Sequence, residues 1–543
     1  MTHQLTALLV SALLCSGCFI DPDVTVLYET SVDGPADGGI DGVVDTAAPD
    51  GPAPDQSIPD GPAPDQSIPD GPVADLPLTD QAITDGPVAD LPLPDQATPD
   101  GPVPDAAAPP LGSGNARLLY TETTLDLLQR TWSPTSSWDT PASLLAFTKA
   151  LPWVLNRVSP TTPGDEAALI FGWDTGGTEL QGLSRSAANG WSADWSATGI
   201  SIADISKQGF DLAYEQSSGD LLVVYSNSTD TPRFRTRSGG TWSAEQSLPL
   251  NDGATNPNPD HNTGKVLWIE LVPRPGSNDI ALFYADANAD LVMVLWDGSQ
   301  WATGSATVLE SNLKVNPNSS VVNQRCFDGA WEGKTGDLLA AWGRTNEDGY
   351  FSAWRSATTG LWNNLPAFKG TSGEIEFVDL EGQAASDFIV GAFMDEGGGI
   401  ERLVLAAWDG TSWINASELD SQTHDVNDQA FGDAPAGVAW VDASTAVAVY
   451  ADKSTNVLDW AKWTPATGWV IQSDVTVFNK GQTESVQLAR VPGKTQVLVV
   501  YTDSKSQLGW ALFNGVGWTI GPTWLSTSVA SLDAVPFSLA FQQ

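Results

Sequence analysis

Cysteine is nearly missing from this chain. Its 543 residues include three, Cys15, Cys18 and Cys326. Two of them fall within the first 18 positions, so the rest of the chain has neither a disulfide framework nor a Cys-based zinc site. Histidine is as scarce, with three in all, and only His261 and His424 lie outside the N-terminal segment. Positive charge is short as well: 24 Lys and Arg stand against 67 Asp and Glu, a formal net charge of −43. Without clustered Lys and Arg there is no electrostatic footprint for nucleic acid. The mostly apolar run Leu5–Leu14 is too short to span a bilayer as a helix. HExxH, GxSxG, a phosphate loop and paired-Cys motifs are absent, which removes the commonest metallohydrolase, esterase, nucleotide and redox signatures. Helical periodicity is scarce too. Leu144–Arg157 comes nearest to it, and Pro152 interrupts it.

What is present begins with MTHQLTALLVSALLCSGC, residues 1–18, an apolar stretch with the proportions of an export signal. Its end, Cys15-Ser16-Gly17-Cys18, resembles the lipobox of bacterial lipoproteins. That resemblance implies a lipid on Cys18, anchoring to a membrane, and a mature chain starting there. Phe19 is not the Asp that retains some lipoproteins in the inner membrane, so an outer-membrane or cell-surface location is expected. Residues 19–110 then contain no Lys, Arg, Trp or Cys, and hold 19 of the 67 acids. Asp recurs at every fifth position from Asp50 to Asp105, and DGPAPDQSIP at 50–59 repeats at 60–69. Such a stretch has no apolar face to bury, so it is expected to stay disordered, as an acidic, Pro-stiffened stalk. At about 3.1 Å per residue it would reach at most roughly 280 Å.

Residues 111–543 keep 48 acids against 24 bases and every one of the 23 Trp. Their order comes from a repeat. YADANADLVMVLWDGSQW, Tyr284–Trp301, holds a strand end, a turn, a strand, a tight hairpin and the Trp that opens a further strand. Related segments end at Trp138, Trp191, Trp242, Trp362, Trp413, Trp469 and Trp518, so that the copies number eight. They lie roughly 50 to 60 residues apart, a period that belongs to propellers. The fold class is therefore all-β: an eight-bladed β-propeller of four-stranded blades, with seven blades left open if the loose copy at Phe171–Trp191 is irregular. The chain enters at 115–120 on what reads as a second strand. It leaves at 533–543 on what reads as a first strand, so the two should complete one blade and close the ring.

The hairpin Arg235–Trp242, RTRSGGTW, resembles the Asp-box turn of sialidases and related propellers, with Arg237 standing where the Asp belongs. The WDGxxW turns at Trp296–Trp301 and Trp408–Trp413 resemble those of Trp-rich lectin propellers, fucose-binding ones among them. The resemblance implies a propeller and two activities, glycan binding or sialidase-type catalysis. The catalytic reading needs three converging Arg, a Tyr and an acid. Arg157, Arg274, Arg325 and Arg490 sit near first-strand positions, where they could face a central channel.

The repeated Trp on each fourth strand is expected to pack between blades. Trp153, Trp195, Trp268, Trp331, Trp440 and Trp524 are not required by the repeat, which makes them the ligand-stacking candidates. A carboxylate also recurs after the second strand, at Asp286, Asp395, Asp452 and Asp503. Each is expected to satisfy backbone N–H groups of its own turn. The rival role is cation binding, with calcium as the cofactor. Asp286-Ala-Asn288-Ala-Asp290 has the alternating oxygens of a calcium loop, but Leu291 replaces the Gly such a loop uses. No other cofactor is implied. The composite expectation is a lipid-anchored, surface-displayed binding protein without catalytic function. A glycan is the first partner and a surface protein the second, through the face that carries the long connections 247–264, 302–325 and 414–435. A sialidase-like glycosidase or lyase and a structural scaffold are the alternatives.

Overall fold

In the computed structural model the described residues are 113–542, apart from 148–149, 175–176, 187–189, 201–206, 228–230, 250–264, 315–324, 369–372, 398–399, 419–433, 452–456, 473–474, 477–480, 482 and 531–533. They belong to one compact unit, Pro94–Gln543. The expectations for Cys18, the stalk, Asp452, His261 and His424 lie outside them, as do 250–264, 315–324 and 419–433 of the long connections.

The architecture is all-β. Among the described residues thirty-five strands form antiparallel meanders that follow one another along the chain. Meander A holds Ala116–Thr121, Asp126–Ser133 and Ser137–Trp138, with Ala142–Ala146 also paired to Asp126–Ser133. B runs through Ala150–Val158, Glu166–Asp174, Gly177–Ser186 and Gly190–Thr198, and C through Phe210–Tyr214, Leu221–Tyr225, Arg233–Ser238 and Thr241–Trp242. D comprises Val266–Pro273, Ile280–Asp286, Leu291–Trp296 and Thr307–Glu310. E comprises Phe327–Trp331, Leu338–Arg344, Glu347–Arg355 and Trp362–Asn364. F is Glu374–Gly382, Ile389–Gly397, Ile400–Trp408 and Trp413–Glu418, joined to E by one parallel bridge between Gly349 and Glu374. G is Ala436–Trp440, Ala446–Ala451, Val457–Thr464 and Gly468–Ile471, and H is Thr483–Arg490, Val497–Asp503, Leu508–Phe513 and Trp518–Ile520.

Meander A lacks a first strand of its own. Phe537–Phe541 supplies it, pairing antiparallel with Ala116–Thr121 from Ala116↔Phe541 to Tyr120↔Phe537. The first strands then neighbour one another in a closed cycle, from Phe537–Phe541 through B, C, D, E, F, G and H and back. This is a β-propeller, its first strands facing an axial channel. The second strands explain its sequence. Leu221–Tyr225 and Ile280–Asp286 are buried at every position, because sheets cover both faces and period-2 alternation has no work to do. Within Leu144–Arg157 the described elements are strands, Ala142–Ala146 and Ala150–Val158, with a register shift between Ala150 and Trp153.

Neighbouring first strands splay too far apart to share a full ladder, and polar side chains bridge them. Asp211 Oδ2 accepts the Leu271 N–H at 2.8 Å, Asp328 Oδ2 that of Leu380 at 2.8 Å, and Asp379 Oδ2 that of Val438 at 2.9 Å. Gln487 Oε1 accepts Leu539 N–H at 3.2 Å and Ser538 Oγ accepts Asn156 N–H at 3.0 Å. The channel therefore has a polar belt made of fold-stabilising groups.

Candidate functional site

The expected residues separate once they are placed. Trp153, Trp268, Trp331 and Trp440 stand on first strands and are only 1%, 3%, 4% and 3% exposed. Trp331 donates its indole N–H to Val272 O and Trp440 to Glu381 O, both at 2.9 Å. Trp153 and Trp268 meet edge to face at 6.2 Å. These four pack among the first strands, with little of their surface open. Trp524 is half-buried against Tyr501 at 6.2 Å. Trp195 is half-buried beneath the Arg235 guanidinium.

The fourth-strand Trp residues pack as the repeat requires. Trp301 meets Phe234 of the preceding meander at 5.5 Å, Trp413 meets Tyr350 at 5.2 Å, and Trp518 meets Trp460 at 5.8 Å. The acids after the second strands hold their own turns. Asp286 Oδ1 accepts the N–H groups of Asn288 and Asp290 at 2.8 and 3.1 Å. Asp503 Oδ1 accepts those of Lys505 and Gln507 at 3.0 Å, and Asp395 Oδ1 that of Arg402 at 3.1 Å. Among the described residues no group of three or more Asp, Glu, His or Cys gathers around a common point. The first-strand arginines are engaged in ion pairs: Arg157 with Asp211 at 3.5 Å, Arg274 with Asp279 at 2.9 Å, and Arg325 with Glu270 and Asp328. Arg490 instead gives its Nε–H to Lys494 O. No trio of them is left to converge on a substrate carboxylate.

The constellation with recognition chemistry lies between meanders B and C. On the third strand, the position paired two residues before the aromatic end of the second strand is apolar in five meanders: Val294, Ala353, Ala406, Ala461 and Ala511. In C it is Arg235, opposite Val223. In B it is Gly182, and a Cβ there would sit 2.1 Å from the Trp195 ring. The missing side chain admits the Trp195 indole into the gap. Its ring stacks on Tyr225 at 5.6 Å and 23°, and the Arg235 guanidinium lies over it at 5.1 Å. Trp242 meets it edge-on at 5.7 Å.

Polar bonds fix this arrangement. Arg235 donates from Nε to Tyr225 Oη at 3.3 Å and from Nη1 to Ser243 O at 3.1 Å. The Tyr225 hydroxyl donates to Glu245 Oε2 at 2.6 Å. Burial first, and then the bond to Glu245, push the Tyr225 phenol above its usual range, so it remains a donor. Trp242 donates to Asp194 Oδ2 at 2.6 Å, and Asp194 also takes the Ser184 and Ser192 hydroxyls. Glu245 is exposed, and Arg235, Trp195 and Trp242 are half-buried. The gap thus presents aromatic surface beside a guanidinium and a carboxylate acceptor.

The gap between H and A repeats part of this. Arg130 occupies the Arg235 position, opposite Leu118, and donates from Nη1 to Asp139 O at 3.1 Å. Trp138 stands in the place of Trp242, and Trp510 of meander H reaches it at 6.3 Å. Pro141 falls where Glu245 would be, so the acceptor is missing. Sequence reasoning quoted Arg235–Trp242 as a turn and missed the site. Aligning the third strands would have found it, because only Arg130 and Arg235 place a cation at a position otherwise apolar or glycine.

Fold and gap together define a β-propeller with polar, aromatic-walled clefts between adjacent meanders. No protein-family model matches the chain, and no curated protein does. Among solved structures it is similar to the BP39L lectin of Burkholderia pseudomallei, at 12% identity and TM-score 0.46, covering 70% of this chain and 100% of that one. The SapL1 lectin, solved with α-methyl fucoside, shows 18% identity and TM-score 0.34 over 61% of this chain and 98% of that one. The fucose-specific lectin of Aleuria aurantia shows 14% and 0.33 over 60% and 96%. At these scores the likenesses carry no argument, and the fold stands on its own strand pairing.

Proposed function

We propose that this chain is a non-catalytic glycan-binding protein, built as an eight-bladed propeller, with meanders A to H as the blades and its principal site in the gap between B and C. The observation that carries the reading is Arg235 at a position where five other meanders are apolar, stacked on Trp195 and bonded to the Tyr225–Glu245 pair. A sugar ring needs an apolar face for its C–H groups and directed donors and acceptors for its hydroxyls. The gap offers both within one cluster. The blade count is supported by the closed cycle of first strands. The anchor rests on the sequence: lipidation of Cys18 would hold the chain at an outer membrane or cell surface, and residues 19–110 would act as its stalk.

A glycan array probed with the full-length chain tests the binding, with α-methyl fucoside among the first soluble competitors. We expect Arg235→Ala to lower affinity at least tenfold, about 1.4 kcal/mol. Arg130→Ala should matter less, because Pro141 leaves that gap without an acceptor. An Arg235→Ala chain that keeps the full array profile would overturn this site. For the anchor, Cys18→Ala should move the protein from the detergent phase to the aqueous phase, and a variant that still partitions with membranes would refute lipidation.

A further inference from the structure

The gap between H and A keeps the donors of the B–C gap and has lost its acids. Strand register matches the two sets position by position. Tyr120, Arg130, Trp138 and Pro141 stand where Tyr225, Arg235, Trp242 and Glu245 stand in C. In the B–C gap two carboxylates serve these donors. Glu245 takes the Tyr225 hydroxyl and Asp194 takes the Trp242 indole N–H, both at 2.6 Å. Pro141 removes the first of them. Meander H brings Trp510 to Trp138 and no acid for the Trp138 indole N–H.

Donors are left over as a result. The Tyr120 hydroxyl, the Arg130 Nε–H and the Trp138 indole N–H are buried and find no acceptor. Unmade buried donors are costly, so this gap favours an occupant that brings oxygens. Arg130 also reaches the surface. Its Nη1 gives to Asp139 O at 3.1 Å, while Nη2 is neither bonded nor buried, on a half-buried side chain. Burial raises the Tyr120 phenol, against the pull of the Arg130 guanidinium beside it, so the hydroxyl stays a donor.

One acid lies near, and it is tied to its own turn. Asp139 occupies the place of Ser243. Its Oδ1 accepts Thr131 N–H at 2.7 Å, as Ser243 Oγ accepts Thr236 N–H at 2.9 Å. Among the described residues no carboxylate forms an ion pair with Arg130, whereas Arg237 and Arg274 each hold one. The open edge of a guanidinium fits a carboxylate in shape, two N–H groups against two oxygens. Trp138, half-buried, adds apolar surface for the C–H groups of a ring.

We propose that the H–A gap binds an acidic sugar, with its carboxylate held at Arg130, where the counterpart of Glu245 is missing. The proposal rests on the reading of meander gaps as sugar sites and assigns a second gap a ligand of different charge. For a neutral glycan the missing acceptor makes this the poorer gap, and for an acid the same absence removes a repulsion. Methyl β-glucuronide is the probe, titrated calorimetrically into the full-length protein. Methyl β-glucoside, its uncharged counterpart, and sodium acetate, a carboxylate without a sugar, are the other two arms. The expected result is saturable glucuronide binding, roughly tenfold or more tighter than that of either. Arg130→Ala should weaken it by roughly tenfold or more, and so should Pro141→Glu, which gives the donors an internal acid while leaving Arg130 in place. Cooperative thermal unfolding of both variants shows that they are folded. Arg235→Ala should bind the glucuronide as the parent does, so a failure of the B–C site and a failure of this one are told apart. The proposal is overturned if the glucuronide gives no saturable signal, or if the glucoside or acetate binds as tightly. It is equally overturned if folded Arg130→Ala or Pro141→Glu binds as well as the parent.

Discussion

At the scale of residues, buried carboxylates tie neighbouring meanders together. Glu215 of C accepts the indole N–H of Trp296 in D at 2.8 Å and the Ser218 hydroxyl. Glu332 of E does the same for Trp408 in F at 2.6 Å, with Thr335. Trp296 and Trp408 are the Trp of the two WDG turns, so the motif reports a clamp as well as a hairpin. Glu215→Ala should cost about 1–3 kcal/mol by leaving a buried indole N–H unmade. Glu332→Ala should cost the same, and the two should add, because they share no partner. Glu166 is a sterner case. It sits fully buried between Arg117 and Arg185, with N–O distances of 3.0 Å to each. Glu166→Gln leaves two buried guanidiniums facing a neutral amide, and breaking a buried pair costs about 3–5 kcal/mol. Urea unfolding of the three variants checks the order, and a Glu166→Gln loss smaller than that of Glu215→Ala would contradict the account.

At the scale of elements, the strand Phe537–Phe541 has the largest effect for its length. Deleting residues 537–541 exposes an edge of Ala116–Thr121 and breaks the cycle of first strands, so the melting temperature should fall far more than five residues of surface suggest. A truncated chain that melts with the intact one would show that the pairing does not close the ring. This element was legible in the sequence because it matches the first strand of the repeat, and Ala116–Thr121 matches a second strand that lacks a first strand directly before it. The meanders were legible for the same reason, through Asp297-Gly298, Asp409-Gly410 and Asn514-Gly515, where Gly takes φ of 90°, 93° and 93°. The site was not. Trp195 and Arg235 belong to different repeats and meet only when B packs on C, so no local pattern joins them. Trp153, Trp268, Trp331 and Trp440 stood out for a related reason: leaving the repeat marks a residue as unusual, and on a first strand an unusual Trp also fills the wedge between neighbours.

For the whole molecule, acidity makes stability depend on pH. Glu484 is raised to about 8 and Asp379 to about 7, burial being the largest cause for each. The folded protein holds these protons where the unfolded chain, with carboxyls near 4, has released them. Unfolding between pH 4 and 8 therefore releases protons, and stability falls as pH rises through that window. The melting temperature should be higher at pH 5.5 than at pH 8.5, and Glu484→Gln should flatten the slope. A melting temperature that rises across this range would sink the account.

The strand Ala116–Thr121 is held on both sides, by six register pairs with Asp126–Ser133 and five with Phe537–Phe541. A tensile load applied through Gly114 along this strand acts parallel to both ladders. The bonds are then stressed in shear and must fail together, whereas a strand peeled from an open edge yields one bond at a time. In single-molecule pulling from Gly114, the intact chain should rupture at a higher force than a chain lacking residues 537–541, which has a ladder on one side only.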